Sequence, residues 1–505
     1  QLQAWSQWRG DKMEGKPKYK TSLSLPEGVY EVFGTYNCAS KQARQQRALK
    51  SSYARVIRLR PTPASPKPKS SLSLSLKSKK TIPFPSLPIS GSTNESADVE
   101  FLVYPCGDSI CVCNLSITVA EAAKTSGAWR EKTKSFSQDP TCCSINRQTS
   151  SGDYLEVLVG FENGDIILLD AISMAHKSKY NVNAALNASR VTDVEWLPGS
   201  KTQFVAAFGN GVLLVLDSTK EDGSPKTLAA AAAAAPSGGD LSMGGDPSAF
   251  SVLRSKTQKN NPVSRWHVGK GCINHIAFSS DGKLALSCQD GLARVLDMNT
   301  EKLLFSFRSQ YGAMLCSAWS PDNEYLVTGG EDDLVIVWSF ADKCPVARCL
   351  GHNSWLSVVE FDPLFCISKA MAGGQGGQAQ HEVPYSASNY RFLSVAQDGR
   401  MCYWDLNDGN LVLSRKRAGA PRRSSAASWN EAAARSALYN VAELSRPEEV
   451  PSMEPIYNAL ITQEPLSSLH VTEGAMLTVT FGGESRVWAR PGGSTTQMRD
   501  EDDSR

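Results

Sequence analysis

The chain has 505 residues, 41% hydrophobic and 21% charged, with 53 Lys and Arg against 51 Asp and Glu. No apolar run approaches the roughly 18–20 residues that a membrane-crossing helix needs; the longest, Ala229–Ala235, stops at Pro236. Residues 41–80 hold 12 Lys and Arg and no acid, so the net +2 hides a remainder at −10, and a broad nucleic-acid-gripping face is not expected.

Residues 1–40 read as an N-terminal segment with one early strand over Gly28–Phe33. Residues 41–98, centred on SPKPKSSLSLSLKSKK, read as a basic, Ser/Pro-rich disordered linker, too poor in apolar residues to bury a core. The body, 99–491, then alternates short strands with tight turns. FLVYPCGDSICVCNLSITV (101–119) and the stretch around Trp129–Phe136 supply the first strands. LEVLVGFENGDIILLD (155–170) turns at Asn163–Gly164, and VTDVEWLPGSKTQFVAAFGNGVLLVLD (191–217) turns at Asn210–Gly211. An insert over 219–261 carries the alanine tract. CINHIAFSSDGKLALSCQDGLARVLD (272–297) and MLCSAWSPDNEYLVTGGEDDLVIVWS (314–339) follow and align without a gap. A second insert, 364–389, contains AGGQGGQAQ. RFLSVAQDGRMCYWD (391–405) turns at Asp398–Gly399. A third insert, 416–453, holds RRSS at 422–425, a candidate kinase site, and a helix-like WNEAAARSALYNVAELS (429–445). GAMLTVTFGGESRVWA (474–489) turns at Gly482–Gly483, and 492–505 is a polar acidic tail.

These units share one grammar. Asn-Gly, Asp-Gly and Gly-Gly tolerate positive φ at both centres, which predicts type I′ hairpins. Six residues after each turn stands a large apolar residue: Leu169, Leu216, Leu296, Trp338, Trp404 and Trp488. Asp290 and Asp332 are 42 residues apart, and a period of ~40–45 residues with four short strands is that of a propeller blade. Six blades are countable; 101–119 with Trp129–Phe136 makes a seventh. Strands from both ends closing the ring leave no open edge. The fold class is all-β, a seven-bladed WD40 β-propeller with low-complexity loop insertions.

The spacing also predicts a polar brace inside the blades. His352 precedes a first strand, Ser394 lies in the second, Asp398 in the turn and Trp404 in the third; Thr328, Asp332 and Trp338 repeat the last three positions. A buried Asp accepting from the imidazole, with the indole N–H completing the network, ties the inter-blade loop to its blade. Because the spacing repeats with the fold and has no oxyanion turn, it is structural and not a hydrolase triad. No P-loop, paired-carboxylate motif or zinc-ligand spacing is present, so neither enzymatic activity nor a cofactor is expected. The 13 cysteines show no framework spacing and read as buried thiols of a reducing compartment. The expected location is cytoplasmic, with the basic strip making nuclear entry plausible.

Two aromatics on inter-blade loops stand apart. Trp355 follows the Gly351–His352 dipeptide, and Tyr311 occupies the corresponding loop before the previous blade. Large aromatics on exposed loops anchor protein interfaces. The blander alternative folds each back over the central channel or a neighbouring blade.

WHVGKGCINHIAFSSDGKLALSCQDG (266–291), SAWSPDNEYLVTGGEDDLVIVWSF (317–340) and GHNSWLSVVEFDP (351–363) resemble the WD-repeat regulators of ubiquitin-specific proteases, which include fungal CreC-like proteins and their animal counterparts. PTCCSIN (140–146), VLVGFENGDIILLD (157–170), RVTDVEWLPGS (190–200), EGVY (27–30) and VWARPG (487–492) are similar too. The resemblance implies a non-catalytic subunit that binds a ubiquitin-specific protease and raises its activity, often beside a second WD-repeat activator. It also implies that the contact uses the aromatic pair matching Tyr311, a Phe in the family, and Trp355. The blade ending at Leu296 departs from the pattern by lacking the Trp, and the inserts match nothing. The alternative is a generic WD40 adaptor recruiting substrates or phosphopeptides to another complex such as a ubiquitin ligase, which needs an Arg/Lys cluster on the loop face. A third class, an RNA-bound scaffold, leans only on the basic linker.

Overall fold

Strands this short, joined by tight turns, pair first with their sequence neighbours, and the computed structural model gathers them into seven separate sheets, nearly all antiparallel. The structure describes residues 19–37, 55–59, 99–115, 131–151, 153–223, 250–254, 259–367, 389–407, 441–442, 450–472 and 474–491. Each sheet is one blade of a propeller. The innermost strands are Arg55–Leu59, Pro140–Ile145, Val191–Trp196, Ile273–Phe278, Met314–Trp319, Leu356–Ile367 and Leu466–Val471, one from each of blades 1 to 7 in that order.

Blade 1 departs from the sequence reading. Its inner strand, Arg55–Leu59, lies inside the segment read as a disordered linker, and pairs antiparallel with Val99–Cys106. Within RVIRL two basic residues flank a β-branched pair, and a segment this short becomes a strand by pairing with the edge of its neighbour. Blade 1 therefore begins at 55, before the expected 99. The rest of blade 1, Ser109–Asn114 and Glu131–Ser135, lies where the sequence placed it.

Ring closure uses both ends of the chain. The N-terminal hairpin Ser22–Leu25 and Gly28–Asn37 adds to Glu484–Ala489, so blade 7 is a five-stranded sheet built from 22–37 and 466–489. A buried charge network latches it. Arg391 of blade 6 holds Asp405 at 2.7 and 2.9 Å and also bonds Glu27 of the hairpin, while Arg490 bonds Asp362 at 2.7 Å. Tyr30 donates to Glu27 at 3.0 Å.

Parts of the inserts also form strands. Ser251–Arg254, within 219–261, is the outermost strand of blade 3. Val441–Ala442 adds in parallel to Lys302–Arg308 of blade 4, and Ser452–Met453 adds in parallel to Cys344–Cys349 of blade 5. Val441–Ala442 lies inside the stretch read as helix-like, which is strand at these two residues. The RRSS at 422–425, the alanine tract, AGGQGGQAQ and the tail 492–505 lie outside the described residues.

The turns differ from the expected type. Gly164, Gly211, Gly291, Gly399 and Gly483 have positive φ, but the Asn, Asp or Gly before each does not; in blade 5, where no Gly is present, Asp333 takes the left-handed position at φ 61°. Only one residue per turn is left-handed, so these are type I turns closed by a left-handed residue, not type I′. The preceding Asp stays right-handed because its side chain is already engaged with the backbone ahead of it. Asp290, Asp332 and Asp398 each accept the amide two residues on, at 3.2, 3.3 and 2.9 Å.

Candidate functional site

The brace of blade 6 is closed by hydrogen bonds throughout. His352 Nε2 lies 2.8 Å from Ser394 Oγ, and Trp404 Nε1 donates to the same oxygen at 2.8 Å. His352 Nδ1 is 3.3 Å from Asp398, which also accepts the Asn353 amide at 3.0 Å. Burial pushes the Asp398 carboxyl up, but the imidazole and the two amides outweigh it and hold it below the usual carboxylate range.

In blade 5 Trp338 Nε1 donates to Thr328 at 2.9 Å. The position of His352 is taken there by Gln310, four residues before the first strand, as His352 is four before Leu356. Without an imidazole, Asp332 behaves in the opposite way. Burial raises its carboxyl, and the amides of Leu334, Gln310 and Tyr311 do not offset it. Blade 7 has a third brace that the sequence reading missed, Trp488 to Thr478 at 3.1 Å. Gly482 stands in its aspartate position and Glu464 fills the vacated space; a Cβ on Gly482 would sit 2.0 Å from its carboxylate. Blade 4, which has Gly269 and Leu296 where the brace has its His and Trp, substitutes a fork of Arg294 onto Asp290 at 2.9 and 2.5 Å.

These braces fix the inter-blade loops carrying the two aromatics. Ser309 and Gly312 close a tight loop, Ser309 Oγ donating to the Gly312 carbonyl at 2.8 Å, and Tyr311 at its tip is 77% exposed. Trp355 is half-buried at the start of the blade 6 inner strand, its carbonyl accepting the Gln397 amide at 3.0 Å. Both loops meet the blade 5 turn. The Ala313 amide donates to Glu331 at 3.1 Å, and Asp333 lies in the field of Asp398 and His352. Burial first, and the Asp398 charge second, raise the Asp333 carboxyl, with His352 opposing them. An exposed tyrosine, an acidic turn and a half-buried tryptophan thus follow one another across blades 5 and 6.

Among the described residues no cluster of His, Cys, Asp and Glu is arranged to hold a metal. Nine of the twelve described cysteines are buried, and burial raises the thiols with a resolved shift, Cys316 to about 12 among them.

The WD domain, G-beta repeat model matches residues 261–297 and 301–339, which cover most of blade 4, all of blade 5 through its third strand, and the end of blade 3. The chain is 29% identical over 379 residues to the UBP9-binding protein bun62 of Schizosaccharomyces pombe (strain 972 / ATCC 24843), covering 70% of this chain and 64% of that relative. The match therefore spans less than two thirds of the relative's own length. Among solved structures, a chain of the mitotic checkpoint complex crystal structure matches with a TM-score of 0.45 and 12% identity, over 77% of this chain and 84% of that one. The molecule is a seven-bladed β-propeller with WD repeats.

Proposed function

We propose that this WD-repeat protein binds a ubiquitin-specific protease through the loops carrying Tyr311 and Trp355, and activates it. The observation that carries the reading is the placement of an exposed and a half-buried aromatic on neighbouring, braced loops of one face. The relative named for binding UBP9 supports the class of partner. Pre-formed loops lose little conformational freedom on association, and buried aromatic anchors supply most of the binding energy in such interfaces.

A subunit bound away from a catalytic cleft raises turnover by favouring the competent conformation of its enzyme. Tenfold activation asks for about 1.4 kcal/mol of differential binding, a small share of what one interface supplies. A second WD-repeat activator on another face of the protease is compatible with this arrangement. The buried cysteines, without framework spacing, support a reducing compartment, and we propose a cytoplasmic location with access to the nucleus.

The reading is tested by titrating a ubiquitin-specific protease of the Ubp9 type from the same source with the full chain. Micromolar or tighter binding, weakened about thirtyfold by Trp355→Ala, is expected. Equal binding by wild type and the Trp355→Ala variant rejects the interface.

A further inference from the structure

The described residues between Leu406 and Tyr457 form a strap in two pieces: Val441–Ala442 adds to the outer strand of blade 4, and 450–456, through Ser452–Met453, adds to the outer strand of blade 5 and leads into the fourth strand of blade 6, Tyr457–Leu460. The two strands it covers, Lys302–Arg308 and Cys344–Cys349, are those that feed the loops of Tyr311 and Trp355. The strap is seated, not merely laid on. Val450 and Met453 are buried, Met453 within the core shared by blades 5 and 6.

Its last residues reach the loop itself. The Arg348 amide donates to the Pro451 carbonyl at 2.8 Å and the Leu350 amide to the Met453 carbonyl at 3.0 Å. Asn458 Nδ2 donates to the Gly351 carbonyl at 2.7 Å, and Arg400 donates to Asn458 Oδ1 at 2.9 Å. Gly351 is pressed between Trp404 and Pro455, so closely that a Cβ would lie 2.9 Å from the indole. A ring of contacts results: Arg400 to Asn458, Asn458 to Gly351, His352 to Asp398, and Asp398 back to the Arg400 amide. The other loop is reached through Arg348, whose guanidinium donates to Gln310, next to Tyr311, at 2.8 Å.

We infer that this strap is the positioning element of the partner-facing loops, with Asn458 as its key residue, and that partner affinity is set by whether the strap is seated. The inference rests on the interface proposed above. Asn458 holds the Gly351 carbonyl and touches no partner; the brace of His352 fastens the same loop from the inner side, and the strap fastens it from the outer side. A loop held from one side only retains its aromatic but samples other positions, so association weakens while the assembled complex is unchanged.

The test compares the full chain with Asn458→Ala and Asn458→Asp; the aspartate keeps the acceptor for Arg400 and loses the donor to Gly351. Hydrogen exchange is followed over residues 344–367, and binding and activation of the ubiquitin-specific protease are measured alongside. Both variants are expected to exchange the amides of 350–355 at least tenfold faster, leave the strand Leu356–Ile367 unchanged, and weaken protease affinity three- to tenfold. Maximal turnover at saturating chain stays at the wild-type value, a split that a general loss of folding would not give. Unchanged exchange at 350–355 overturns the inference. So does faster exchange with unaltered affinity in a protein whose Trp355→Ala variant binds poorly. If affinity is unmoved by Trp355→Ala as well, the interface assignment fails instead, while faster loop exchange still supports the strap's hold on the loop.

Discussion

The indole of Trp404 donates to the hydroxyl of Ser394 at 2.8 Å, from the third strand of a blade to its second, and the same oxygen meets His352 at 2.8 Å from the preceding loop. One hydroxyl therefore joins a blade to the loop that enters it. Ser394→Ala leaves the Trp404 indole N–H and the His352 ring nitrogen buried without that partner, and unfolding in urea is expected to show a loss of about 1–3 kcal/mol. Thr328→Ala, where no histidine shares the oxygen, loses less.

The two turn aspartates carry opposite pH signatures. Asp398 is held below the usual range, so its contribution is present above the unfolded carboxylate pKa and is lost as pH falls through the lower folded value. Asp332 is raised by burial, so its contribution is complete below the unfolded pKa and is lost as pH rises through the higher folded value. Urea unfolding from about pH 2.5 to 7 checks the sign. Asp398→Asn grows worse relative to wild type as pH rises towards the unfolded carboxylate pKa and levels off above it, whereas Asp332→Asn gains on wild type as pH rises above that pKa.

Ring closure depends on the N-terminal hairpin. Arg391→Ala strands Glu27 and Asp405 without their common cation, and thermal unfolding is expected to fall by the equivalent of about 3–5 kcal/mol. Removing residues 1–37 exposes the edge of Glu484–Ala489, and size-exclusion chromatography should then show self-association through that strand.

Deletions within the basic segment separate a linker from a strand. Removing 41–98 takes away Arg55–Leu59 and opens blade 1, whereas removing 61–97 spares it. The native circular dichroism signal and protease binding are expected to be lost with the first deletion and kept with the second. RNA binding that disappears with 61–97 deleted would favour the RNA-scaffold alternative.

The blades were legible because their turns repeat. One left-handed residue after an Asn or Asp, with a large apolar residue six positions after it, is a local constraint, and it survives where the Trp is replaced, as at Leu296. The turn type was not legible from the dipeptides alone. Asp398–Gly399 suits both kinds of hairpin, and the choice is made by the aspartate's bonds to His352 and to the Asn353 and Arg400 amides. Strands that borrow their order from a neighbour were hidden as well. RVIRL lies among basic and polar residues, and Val441–Ala442 and Ser452–Met453 are too short to show a period. Substitutions across the sequence were likewise beyond reach: nothing near Gly482 points to Glu464, and nothing at Leu296 points to Arg294.

The exposed tyrosine offers the cleanest separation of fold from function. Tyr311→Ala removes a side chain 77% exposed, and its unfolding curve should match wild type within about 0.5 kcal/mol. Trp355→Ala, half-buried, is expected to cost more stability and about 2 kcal/mol or more in partner binding. Isothermal titration against the protease, paired with urea unfolding, resolves the two effects.

Activation through these two loops is tested most directly by the hydrolysis of a fluorogenic ubiquitin substrate by a ubiquitin-specific protease from the same source. The protease is measured alone, with the wild-type chain, and with the Tyr311→Ala/Trp355→Ala double variant. The account predicts a rise in kcat with wild type that the folded double variant fails to produce. An equal rise with both proteins, or none with wild type despite binding, contradicts it.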